Sequence, residues 1–162
     1  MSVALEVRPI ASEAEREACA RLMSESEPWL TLGRGYEASL AIVSDPTREA
    51  YWLEHGGEWA GFLLLCLHGP LRGYVQTICL RQACRGRGLG SAVLAWAEQR
   101  IFRESPNVFL CVSDFNTGAL RLYRRLGYEL VGPLTDFLVA GSAELLLRKS
   151  RGPWSTWRPP EG

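Results

Sequence analysis

The chain has one lysine, Lys149, and two histidines, His55 and His68. That is too little imidazole for a histidine-rich metal site, and no Cys-x-x-Cys pair makes up for it. Five cysteines, an odd number without motif spacing, indicate neither a disulfide framework nor a structural zinc, so no metal is expected. Cys66, Cys79 and Cys111 lie in apolar runs and read as small core residues, whereas Cys84 lies in a loop and is the most reactive thiol on offer. A catalytic role for Cys84 would want a nearby histidine, and the sequence places neither histidine beside it. Charge of one sign is also missing: eighteen basic and eighteen acidic residues cancel. No global field therefore draws the protein to nucleic acid or to an anionic membrane. No apolar run approaches the roughly 20 residues that cross a bilayer, and no charged leader with an apolar core opens the chain. A cytoplasmic protein is expected, with neither nucleic acid nor a membrane as partner.

What is present is enough for one globular core. The 162 residues are 47% hydrophobic, which fits a single domain. The most informative stretch is Arg85-Gly86-Arg87-Gly88-Leu89-Gly90, placed where an apolar run, Tyr74 to Leu80, gives way to a helical pattern from Leu89 to Phe102. A loop that leaves a strand and opens a helix presents backbone N–H groups without intrahelical partners, at the positive end of the helix dipole. Glycines let a phosphate approach that backbone, and Arg85 and Arg87 add positive charge. The spacing Gly-x-Gly-x-Gly, some eighty residues into the chain, does not fit a dinucleotide fold, which wants Gly-x-Gly-x-x-Gly after its first strand. Nor is it a P-loop, which needs Gly-Lys and then Ser or Thr. A strand-to-helix turn with glycines that merely relieve strain remains the plain alternative.

Periodicity gives the order of elements. Leu5 to Ile10 reads as a strand, and Ser12-x-x-Glu15 as a capping box for a helix with its apolar stripe at Ala14, Ala18, Cys19 and Leu22. A loop from Trp29 to Gly33 precedes a short helix, Tyr36 to Val43, which Asp45-Pro46 ends. Glu49 to His55 and Glu58 to His68 form a hairpin about Gly56-Gly57, and Gly73 to Leu80 is the next strand. A long helix follows, apolar at 89, 92, 93, 96, 97 and 101, and then a buried strand from Asn107 to Ser113. Asn116 caps a helix with its stripe at 119, 122, 123 and 126, which Gly127 ends. Tyr128 to Val131 and Phe137 to Leu147 supply the last strands. Residues 1–148 read as one domain and 149–162 as a Pro- and Trp-rich tail whose tryptophans, Trp154 and Trp157, favour docking over a loose end.

Arg85-x-x-Gly88-x-Gly90 resembles the acyl-CoA pyrophosphate loop of the GNAT family of N-acetyltransferases. Asn116 stands seven residues before Tyr123, and Leu126-Gly127-Tyr128 follows. That order is similar to the family's second signature: an asparagine opening a helix, a tyrosine on it, then Leu-Gly and an aromatic residue. The resemblance is clear from Ala60 to Tyr128 and extends over Val3 to Leu147. It implies an α/β (α+β) fold, a mixed and mostly antiparallel sheet of six to seven strands flanked by about four helices. It also implies acetyl transfer from acetyl-CoA to a primary amine, by direct attack in a ternary complex.

By the same resemblance, Ile78, Cys79 and Leu80 would pair with the pantetheine arm, and Arg85, Gly86, Arg87, Gly88, Leu89, Gly90 and Ser91 would hold the pyrophosphate. The N–H of Cys79 or Leu80 would polarise the thioester carbonyl. Tyr123, whose phenol has an ordinary pKa of about 10, would protonate the departing thiolate; as a residue on an apolar stripe it would equally serve the core. Asn116 would bind the cofactor arm, cap its helix, or do both. Of Arg121, Arg124 and Arg125, only one, taken as Arg125, is expected to reach the phosphates. Related ribosomal-protein acetyltransferases carry a glutamate where this chain has Cys111, and many members carry a carboxylate where it has Gln76 and Thr77. His68, Asp114, Glu37 and a water chain remain as routes for the amine's proton. Trp29, Arg34 and Tyr36 fall where the acceptor pocket is built, with Arg34 suited to a carboxylate. A small amine or amino-acid-like acceptor is the first expectation, and a protein N-terminus or lysine the second. A non-catalytic acyl-CoA sensor stays open, as does a homodimer.

Overall fold

A computed structural model describes residues 4–162; residues 1–3 of the expected domain, Val3 among them, lie outside the described residues. The chain runs β1 (Glu6–Pro9), α1 (Glu13–Ser24), α2 (Tyr36–Val43), β2 (Glu49–His55), β3 (Glu58–Cys66) and β4 (Tyr74–Leu80). It continues through a short 3-10 turn (Gln82–Cys84), α3 (Leu89–Ile101), β5 (Asn107–Ser113), α4 (Thr117–Arg125), β6 (Glu129–Thr135) and β7 (Ala143–Ser150). The seven strands form one sheet in the order β1-β2-β3-β4-β5-β7-β6. Every pairing is antiparallel except that of β4 with β5.

Next to the central strand β4 lies β3, whose run Phe62–Leu65 is completely buried. Alternation sends these side chains into two layers. Phe62 and Leu64 meet Cys19, Met23 and Val43 of α1 and α2, while Leu63 and Leu65 join Leu89, Val93, Ala97 and Ile101 of α3. Each Leu, Val, Ile, Phe or Met side chain among them contributes about 1.5–3 kcal/mol through burial. In α1, Ser12 Oγ accepts from the Glu15 N–H at 3.2 Å, and the Glu15 carboxylate reaches back to the Ala11 N–H and to Arg8, both at 2.7 Å. The face of α1 is turned from the expected stripe. Cys19, Ala20 and Met23 sink inward and Ala14 is exposed, because a methyl group gains little from burial and Met23 fills the layer.

The end of the chain departs further from the expected strands. The first of them, β6, runs on to Thr135, and β7 starts at Ala143, so the expected strand from Phe137 is a loop as far as Ser142. Asp136 takes a positive φ of 54° and accepts from the Gly141 N–H at 2.7 Å, which closes the loop. Beyond β7, Arg151 N–H donates to Pro106 O at 2.8 Å and its guanidinium lies 3.9 Å from the Phe102 ring centroid. Trp154 and Trp157 meet edge to face at 5.5 Å, with Arg72 over Trp154.

Two local features shape the middle of the sheet. Parallel pairing of β4 and β5 is confined to Tyr74–Phe109 and Val75–Leu110, after which the strands part. On the other side of β4 the register jumps from Leu65–Val75 to Leu64–Thr77, leaving Gln76 as an extra residue. Such a bulge bends the strand that carries it, here away from β5. At Gly61, with φ +151°, a Cβ would stand 2.1 Å from the Cys79 carbonyl oxygen, so only glycine lets β3 approach the end of β4 this closely.

Candidate active site

Two cavities occupy the parting of β4 and β5. One, of about 460 Å³, is lined by Ile78, Cys79 and Leu80 of β4, Arg85 and Gly90 of the loop, and Leu122 of α4. The other, of about 630 Å³, extends along the opposite arm over Tyr74, Gln76, Cys111 and Glu144. Trp29, Ile78, Asn116 and Tyr123 line both, so these residues mark where the chambers meet.

The smaller chamber ends at the glycine-rich loop. Gly88 caps α3 in the left-handed region, φ +77°, without a side chain that could satisfy the helix's first donors. The N–H groups of Gly86, Arg87 and Gly88 have no protein acceptor among the described residues, and the first intrahelical donor is Ala92. Those of Leu89, Gly90 and Ser91 are free by helix geometry. This run of donors fits a pyrophosphate. Arg85 is partly engaged, its guanidinium donating to Leu80 O at 3.0 Å and Gln82 Oε1 at 3.1 Å, and so fixes the loop to the end of β4. Arg87 and Arg125 are exposed and line neither chamber.

At the junction, Asn116 Oδ1 accepts from the Ala119 N–H at 3.3 Å, which caps α4 and leaves the side-chain amide N–H groups without a partner among the described residues. The Tyr123 ring sits edge-on to Tyr128 at 6.0 Å. Burial raises the Tyr123 pKa above that of a free phenol, so its hydroxyl carries a proton at neutral pH. Glu27 also reaches both chambers, but its Oε2 accepts from the Thr31 N–H at 3.2 Å and from its hydroxyl at 2.6 Å.

The larger chamber is polar where the sequence looked apolar. Gln76 Oε1 accepts from the Cys66 thiol at 3.2 Å, and burial raises the pKa values of Cys111 and Tyr74. Arg34 and Arg48 line one wall, and Leu71, Phe137 and Leu138 form an exposed apolar mouth. Tyr36 is outside the lining, its ring instead 5.7 Å from the Arg21 guanidinium. Among the expected proton acceptors only His68 reaches the chamber. Glu37 is exposed on α2, and Asp114 is occupied by the Ala143 N–H at 3.1 Å and the Ser142 hydroxyl at 3.3 Å.

Two charged lining residues escaped the sequence reading. Glu144, on β7 opposite Ser113, is 8% exposed, and its Oε2 has no partner among the described residues. Burial raises its pKa; Asp114 adds to the rise, while the Ser113 hydroxyl and the Arg34 charge oppose it. The legible signal was a lone carboxylate inside the apolar run Ala143–Leu147. Arg48 pairs with Asp45 through one terminal nitrogen, while its buried Nε is unpartnered; its sequence surroundings gave no signal.

A bent parallel pair, a donor-rich loop at one end of the gap and a protonated tyrosine where two chambers meet make up the site. Residues 11–128 match the family model described as the acetyltransferase (GNAT) family, and the chain belongs to that family. It is 33% identical over 94 residues to a mycothiol acetyltransferase of Mycolicibacterium vanbaalenii, covering 54% of this chain and 31% of that protein. The chain thus spans about a third of the length of this relative. It is 27% identical over 149 residues to the N-alpha-acetyltransferase RimI of Mycobacterium tuberculosis, covering 87% of this chain and 90% of that one. An aminoglycoside 6'-N-acetyltransferase complexed with coenzyme A shares the fold, with TM-score 0.70 and 14% identity over 96% of this chain and 99% of the other. So does the ribosomal-protein-S18-alanine N-acetyltransferase of Escherichia coli, with TM-score 0.69 and 14% identity over 96% and 100%.

Proposed function

We propose that the protein moves an acetyl group from acetyl-CoA to a primary amine by direct attack within a ternary complex, the acceptor being a small amine or an amino-acid-like molecule. The observation that carries this reading is the meeting of two chambers at Tyr123, one ending on the phosphate-type loop and the other on charged side chains. Acetyl-CoA supplies an activated acyl thioester. Gly86 to Ser91 hold its pyrophosphate through backbone N–H groups, and the β4 backbone at Ile78, Cys79 and Leu80, which β5 leaves unpaired, takes the pantetheine arm as an added strand. The N–H of Cys79 or Leu80 polarises the thioester carbonyl. Asn116 steadies the same arm with its free amide. Tyr123 gives its proton to the departing sulfur. Trp29 closes the junction over both substrates.

Calorimetric titration with acetyl-CoA, and with CoA and NAD as controls, tests this. Acetyl-CoA and CoA are expected to bind in the micromolar range and NAD not at all. Gly88→Glu, which puts a carboxylate and a side chain at a φ of +77° into the anion site, abolishes binding. Failure of both CoA species to bind would reduce the loop to a turn and end the proposal.

A further inference from the structure

Three charged groups of the larger chamber are incompletely partnered within the protein. The Glu144 carboxyl is buried with Oε2 unpartnered, the Arg48 Nε is buried and unpartnered, and the Arg34 side chain makes no hydrogen bond or ion pair among the described residues. All three line one cavity. An unpaired buried carboxylate is costly, as is bringing two guanidiniums together, unless a ligand completes the arrangement. The chamber therefore offers one negative and two positive positions, with an apolar mouth beyond them.

We propose that the acceptor is a small zwitterion of the amino-acid type, held with its ammonium group on Glu144 and its carboxylate between Arg34 and Arg48, and that Glu144 takes the ammonium proton at Oε2. This rests on the transfer reading above. One N–H bond of the ammonium breaks as the Glu144 O–H bond forms, freeing the nitrogen lone pair. The new N–C bond forms as the C–S bond breaks. A second nitrogen-bound proton then replaces the one that the Tyr123 hydroxyl gives to the sulfur, and Glu144 later returns its own proton to solvent. The carboxyl is suited to the exchange because burial raises its affinity for a proton. The groups around it are Arg34 before α2, Tyr74 on β4, Cys111 and Ser113 on β5, and Asp114 after it. The Arg34 charge and the Ser113 hydroxyl hold its pKa down, and Asp114 and burial hold it up.

The test uses the full chain, acetyl-CoA, the twenty common L-amino acids and the amines that result from their decarboxylation, with CoA release and product mass as readouts. At least one amino acid is expected to be acetylated with kcat/KM at least ~10-fold above its decarboxylated partner. Arg34→Gln and Arg48→Gln erase that preference by raising KM for the amino acid and leave kcat within about threefold. Glu144→Gln lowers kcat/KM by ~10²–10³-fold, moves the acidic limb of the pH–rate profile up toward the pKa of the amine itself and leaves acetyl-CoA affinity unchanged. Equal use of amino acids and amines, or no acetylation of any amino acid by protein that binds acetyl-CoA, overturns the zwitterion. An acidic limb whose midpoint is unmoved by Glu144→Gln overturns the proton role. Loss of acetyl-CoA binding in the unaltered protein would instead overturn the transfer reading beneath both. Should Glu144→Gln fail to fold, the Arg34 and Arg48 variants decide the substrate class by themselves.

Discussion

Gly61 gives a direct test of how the end of β4 is held. A Cβ built there lies 2.1 Å from the Cys79 carbonyl oxygen and 2.9 Å from the Leu80 Cα, both backbone atoms that no rotamer change can move aside. Relief to 3.0 Å, the shortest separation that real Cβ atoms tolerate, needs a shift of about 0.9 Å between β3 and β4. Overpacking of this kind costs about 1–3 kcal/mol. Holding alanine at φ +151° adds about 1–3 kcal/mol. The central sum for Gly61→Ala is about 4 kcal/mol, which for a chain of this length lowers Tm by roughly 8–16 °C. Because the displaced atoms belong to Cys79 and Leu80, acetyl-CoA affinity should fall at least ~10-fold at a temperature where the variant is folded. Differential scanning calorimetry measures the first effect and isothermal titration the second. Gly118→Ala is the control, an exposed helical position with open space around its Cβ, where alanine should stabilise by about 0.5–1 kcal/mol. A Gly61→Ala protein melting within about 2 °C of the parent, with unchanged affinity, would refute the close-approach argument.

Two further substitutions probe α4 and what it rests on. Tyr123→Phe should bind acetyl-CoA nearly normally yet turn over ~10²-fold more slowly, as judged by steady-state CoA release; unchanged turnover would exclude the proton-donor role. Tyr128 is 3% exposed and donates to Glu98 Oε1 at 3.0 Å, where Lys149 also arrives at 3.2 Å. Tyr128→Phe therefore costs about 1.5–3 kcal/mol in urea unfolding, and a cost below about 0.5 kcal/mol would show that Lys149 alone satisfies the carboxylate.

Punctuation by glycine and proline made much of the fold legible. Asp45-Pro46 and Gly56-Gly57 placed the end of α2 and the turn of the β2–β3 hairpin where the structure has them. The run at Phe137 misled because four adjacent apolar residues, Phe137 to Ala140, read as a strand, whereas Asp136 and Gly141 close them into a loop at the mouth of the larger chamber. The smaller chamber was readable because its loop is a continuous stretch of chain. The larger one was readable only in part, through Trp29, Arg34 and His68, for a topological reason. Glu144 reaches β5 only because β7 inserts between β5 and β6, a pairing between residues some thirty positions apart that no local pattern encodes. Cys111 and Gln76 do line the chamber, and the carboxyl group missing from both positions enters it on the neighbouring strand.

The two-residue contact between β4 and β5 has a mechanical meaning as well. Four strands stand on one side of it and three on the other, so the sheet resembles a book whose spine is stitched at one end only. The amides and carbonyls along the open pages have no neighbour across the gap. An extended molecule laid between them would finish the stitching, stiffening the two halves into a single plate. Occupancy of the gap and resistance to unfolding thus become one quantity, and amide exchange from Thr77 to Leu80 serves as its gauge.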